Sequence, residues 1–169
     1  MIGHHGTSVE NAKMILEEGF RKSSGKHQWF GEGVYFFDDD YIEARNWAVK
    51  VKKFERYAIL QSEIDAQNPL HLHKSTEWGE FLKIKQRLLK HNQSSPFKNR
   101  EITDAYVVEF MCQQIYKLKG VHIDVIICAC SVGGYAWTAE ITRIPRTQIQ
   151  ICVRELSSIL RTELIEEVS

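Results

Sequence analysis

The sequence predicts an α+β domain. Strand composition or period-two alternation recurs at residues 34–37, 57–64, 123–130 and 148–153, while only a few segments show helical spacing. Interrupted strands around few helices fit an α+β core better than alternating βαβ units. With 169 residues and 43% hydrophobic content, the chain reads as one domain, residues 1–169, long enough to bury a core.

The first helix opens at Thr7, where Glu10 three positions later completes a capping box. Val9, Ala12, Ile15 and Leu16 share one face, and Gly19 suits the left-handed end. His5 and Gly6 then close a short strand immediately before a helix N-terminus, where backbone amides are ready donors for a carbonyl or an anion. Gly6 lets a planar ring approach the main chain closely. Alternation sends His4 to the face opposite His5.

Val34, Tyr35, Phe36 and Phe37 form the second strand, flanked by Gly31 and Gly33. Asp38, Asp39 and Asp40 make a polar turn or helix start, from which no metal site is read. Ala44, Trp47, Ala48 and Val51 mark the next helix. A strand follows at 57–64, with a short continuation at 70–73. A basic amphipathic helix over 77–92 carries Lys83, Lys85, Arg87 and Lys90, and 92–100 is a loop. The pattern continues with a helix at 104–117, a buried strand at 123–130, a loop at 131–147 and a last strand at 148–153. The acidic segment after it extends as a helix.

Charge is balanced, with 22 basic and 22 acidic residues, so the chain as a whole is no electrostatic match to nucleic acid. Cys112, Cys128, Cys130 and Cys152 are too few for a disulfide framework and lack metal-ligand spacing, which implies reduced, buried thiols. No signal-peptide pattern and no membrane-length apolar run occurs; the expected setting is cytoplasmic, with no membrane partner. The full dinucleotide glycine fingerprint is absent, which excludes a Rossmann crevice.

Two segments carry chemistry. Residues 3–7 read Gly-His-His-Gly-Thr, and residues 29–37 read Trp-Phe-Gly-Glu-Gly-Val-Tyr-Phe-Phe. In order and spacing they resemble the two halves of the NAD pocket of the diphtheria-toxin-like, or PARP-like, ADP-ribosyltransferases, over about the first 60 residues. The resemblance implies two small packed antiparallel or mixed sheets with a split NAD cleft between them. It gives Gly6 the nicotinamide carboxamide, with Thr7 assisting, and His5 the adenine-side ribose. Tyr35 would pack on the nicotinamide ring, which suits a cationic pyridinium, and Trp47 is the candidate for a second stacking aromatic. Taken alone, Tyr35 is more simply a core residue, and Trp47 is as readily core as ligand contact.

Many relatives open the last strand with a glutamate that stabilises the oxocarbenium-like transition state. Here that strand opens Gln148-Ile149-Gln150, with both glutamines on one face. A glutamine keeps the carbonyl acceptor without the charge, and Glu140 on the preceding loop is the substitute carboxylate. The resemblance therefore implies mono-ADP-ribosylation of a macromolecular acceptor, protein or nucleic acid, met by the loop bearing Arg143 and Arg146. A compact core of this kind fits a toxin or defence effector restrained by an antitoxin or immunity protein. The alternatives are an RNA 2′-phosphotransferase-like or NAD-hydrolysing relative, and a degenerate module that binds NAD or ADP-ribose.

Overall fold

The computed structural model describes residues 1–23, 28–94, 101–131 and 147–168. Seven strands are hydrogen-bonded into one mixed sheet, with four α-helices against it among the described residues. The strands are β1 (Ile2–Ser8), β2 (Val34–Asp38), β3 (Tyr57–Ile64), β4 (Pro69–His71), β5 (Val125–Ser131), β6 (Thr147–Val153) and β7 (Ile159–Val168). Their order is β4-β5-β6-β2-β1-β3-β7, antiparallel throughout except for β4 beside β5.

The α+β class therefore holds, but the two expected sheets are one. What divides it is the joint between β1 and β2. Only Gly3 with Asp38 and His4 with Phe37 are paired there. Beyond that point β1 keeps its pairing to β3 as far as Ser8, and β2 keeps its pairing to β6 from Phe37 to Val34. The sheet is split over half the length of its central strands.

The helices occupy the two faces. α1 (Val9–Glu18) buries Val9 and Ala12 against Ala58 and Leu60 of β3, with Ile15 partly buried. Leu16, expected on that face, is exposed. The cap is Ser8, whose Oγ accepts from Asn11 N at 3.2 Å. Thr7 is instead a buried strand residue, because β1 runs on to Ser8 and delays the helix by one position.

On the other face α2 (Tyr41–Asn46) is capped by Asp40, whose carboxylate accepts from Glu43 N at 3.0 Å. It continues into a π-helical turn, Trp47–Val51, and Ala44 and Ala48 pack on Phe37, Tyr57 and Ile59. α3 (Ser75–Ser94) and α4 (Asp104–Lys119) cover the β4-β5-β6 half of this face; Phe81, Val107, Val108 and Met111 pack there with Ile126 and Cys152. All four cysteines are free and buried.

Two further expectations change. The segment after β6 is the edge strand β7, paired with β3 along its whole length, and not a helix. Its register skips Leu160 and Ile165, and these bulges break the period-two signal that marks a strand. Residues 70–73 do not extend β3 either: Pro69, Leu70 and His71 pair in parallel with β5. No helix among the described residues is long and apolar enough to cross a membrane.

Candidate functional site

The split opens into a cavity of about 1070 Å³, at the upper end of the size common for small-molecule sites. Its lining comes from both faces of the sheet. Gly6, Tyr35, Phe37, Glu43, Trp47 and Gln150 belong to the α2 face; His5, Asn11, Ile15 and Phe20 belong to the α1 face. Gln148 also contributes.

Backbone direction gives the split its chemistry. Asp39 N donates to Ile2 O at 2.9 Å, so the Ile2 carbonyl faces β2. Alternation along β1 turns the N–H and C=O of His4 and then of Gly6 the same way. At His4 they meet Phe37; at Gly6, β2 is no longer paired with β1. A donor and an acceptor from one residue thus face the opening, the complement of a primary carboxamide.

Gly6 is also required by packing. A Cβ there would lie 2.0 Å from the carbonyl oxygen of Ala44 and 3.2 Å from the Ala48 Cβ. The backbone of α2 sits directly on this strand, which a side chain at position 6 would prevent.

His5 lies on the opposite face from Gly6. Its Nδ1–H donates to the main-chain carbonyl of Tyr35 at 2.8 Å, and its ring meets Phe20 and Phe36 edge-on. That bond fixes the tautomer and leaves Nε2 as an acceptor. Burial holds its pKa below the ordinary imidazole value, opposed by the bond to Tyr35, so the ring is neutral near pH 7. His4 does face the other way, as expected, packed against Tyr41 with Nε2 3.2 Å from Gln61 Oε1. By alternation Thr7 shares the face of His5, not that of Gly6.

Tyr35 reaches the cavity but is held by its own neighbours. Its hydroxyl donates to Gly31 O at 2.7 Å and accepts from Phe30 N at 3.1 Å, and its ring stacks on Phe30 with centroids 6.1 Å apart. Burial pushes the phenol pKa up, so it stays protonated. The ring is half core and half cavity wall. Trp47 also lines the cavity: its ring lies 6.4 Å from that of Phe37, with Lys52 Nζ 5.2 Å from its own centroid.

Gln148 and Gln150 do share a face, and it is the face of Tyr35 and Gly6. Gln150 stands opposite Phe37 in register and Gln148 lies two residues further from the opening. Glu140, Arg143 and Arg146 lie outside the described residues, as do 95–100 of the expected 92–100 loop.

Glu43, Asn46 and Trp29 are among the lining residues given no site role from the sequence. Glu43 is 5% exposed, Asn46 donates to its Oε1 at 3.2 Å, and Trp29 stands at the rim, 57% exposed. The Asp40-x-x-Glu43 spacing was the available signal for Glu43, since it has the form of a capping box. Scans of family models, of curated proteins and of solved structures each return no match to this chain.

Proposed function

We propose that the chain is an NAD-dependent mono-ADP-ribosyltransferase with the ADP-ribosyltransferase fold, releasing nicotinamide and passing ADP-ribose to a macromolecular acceptor, protein or nucleic acid. The observation that carries this reading is the split at Gly6, which turns a backbone donor and acceptor into a cavity walled by Tyr35 and Trp47. A carboxamide on a flat ring fits that combination.

In this reading the carboxamide of nicotinamide is held by the Gly6 main chain, with the ring against Tyr35 and Trp47. The dinucleotide passes through the split, so that a ribose hydroxyl reaches His5 Nε2. The bond between the nicotinamide nitrogen and C1′ of its ribose breaks, and nicotinamide leaves with the electron pair. The acceptor nucleophile then bonds to C1′ and gives up its proton. Gln150, on the same face, offers its amide carbonyl to the ribose hydroxyls as positive charge develops at C1′.

The proposed setting is a toxin or defence effector, restrained by an antitoxin or immunity protein that covers the cleft. Incubation with adenine-labelled NAD, with and without cell lysate, tests the enzyme. Nicotinamide release with label on protein or nucleic acid is expected. A chain that neither binds NAD nor releases nicotinamide removes the proposal. One observation favours a second reading, a module that binds NAD or ADP-ribose without turnover: β6 presents two amides, Gln148 and Gln150, where a carboxylate would assist catalysis. NAD binding without nicotinamide release would select it.

A further inference from the structure

Among the described residues two carboxylates line the cavity, Glu18 and Glu43. Glu18 has a side chain 54% exposed and pairs with Arg21 at 2.6 Å. Glu43 is the buried one. It stands in the first turn of α2, where the positive end of the helix dipole favours an anion. Asn46 Nδ2 donates to its Oε1. The next residue, Ala44, is the one whose carbonyl lies against Gly6. Glu43 and Trp47, one helical turn apart, thus line the same cavity as Gly6. Opposite, β6 offers only the neutral amides of Gln148 and Gln150.

We propose that Glu43 supplies the negative charge that selects a cationic ring in this cavity, so that oxidised dinucleotide is held in preference to reduced. The inference rests on the NAD reading. Oxidised and reduced nicotinamide share the carboxamide and nearly the same outline, but only the oxidised ring carries a positive charge. A buried carboxylate distinguishes them because the low polarity of its surroundings leaves the attraction poorly screened. Lys52 Nζ already stands 5.2 Å from the Trp47 centroid, so the preference is assigned to Glu43 and not to that ring.

The test is calorimetric binding of NAD, NADH, 1-methylnicotinamide and nicotinamide to the full chain and to Glu43→Gln, which keeps the size and an acceptor for Asn46. The wild type should bind NAD about tenfold more tightly than NADH, and the variant should bring the two within about twofold by weakening NAD alone. The cationic 1-methylnicotinamide should likewise exceed neutral nicotinamide in the wild type, a comparison that needs no variant. A purely capping role would lower the melting temperature and weaken both dinucleotides alike. Equal binding of NAD and NADH by the wild type, or a preference that survives in Glu43→Gln, overturns the assignment and leaves the dinucleotide reading standing. Failure of all four ligands to bind overturns both.

Discussion

His5 is tied through its ring to the main-chain carbonyl of Tyr35, at 2.8 Å, just past the last residue pair that joins β1 to β2. Where the backbone ladder stops, a side chain takes its place. The bond links the two sequence motifs, although their side chains lie on opposite faces of the sheet, and it leaves the other ring nitrogen of His5, a cavity-lining residue, as an acceptor.

Replacing His5 by alanine should weaken NAD binding by about tenfold, through loss of one ring acceptor and of the tie to Tyr35. The chain should stay folded, since Leu60 and Phe36 remain to fill that face. Unchanged affinity by calorimetry would remove His5 from the site.

Acid should destabilise the protein through this ring. The His5 pKa is lowered on folding from the ordinary 6.5. Below that value the unfolded chain takes up a proton that the folded chain resists, so stability is full above it and falls as pH drops toward the folded pKa. The melting temperature should decline as pH falls below the ordinary imidazole value of 6.5, and His5→Gln should decline less. His71, also lowered by burial with Lys74 and His73 nearby, accounts for part of what remains. Identical pH profiles for wild type and His5→Gln would show that the ring is not the group responsible.

Gly6→Ala should lower stability by on the order of 3 kcal/mol, because its methyl would fall on the Ala44 carbonyl and α2 must move to admit it. Gly79, with nothing near its Cβ position, is the control. Similar urea midpoints for the two alanine variants would mean that α2 does not rest on β1.

Gln150→Ala should lose transfer by ~10²-fold, the size typical of deleting one transition-state donor or acceptor, while Gln148→Ala changes little. The register puts Gln150 nearer the opening. Equal, minor losses from both would return the role to Glu140.

Elements whose apolar residues obey one period were legible in the sequence. β2, β3, α4 and β6 fall where Tyr35, Leu60, Val107 and Ile151 place them. β7 was not, because bulges at Leu160 and Ile165 leave Ile159, Thr162 and Glu166 as its half-buried positions, spaced three and four apart as on a helix. Thr7 and Ser8 could each cap α1, and only the length of β1 decides between them. The lining of the candidate site was legible where a motif named the residue, as at His5, Gly6 and Tyr35. It was not where tertiary packing decides exposure, as at Glu43. One sheet and two differ by a couple of backbone pairs between β1 and β2, which no local pattern reports.

That narrow joint has a mechanical consequence. Strands β4, β5, β6 and β2 form one leaf, and β1, β3 and β7 the other, with each leaf broadly laddered inside itself. They meet at a short seam, the pairs Gly3–Asp38 and His4–Phe37, flanked by the Asp39 bond to Ile2 and the His5 clasp. A seam so thin is where local opening costs least, so amides flanking it should exchange with solvent sooner than those in either leaf. A ligand gripping Gly6 on one leaf and Gln150 on the other would act as the missing rungs and slow that exchange across the middle of the molecule.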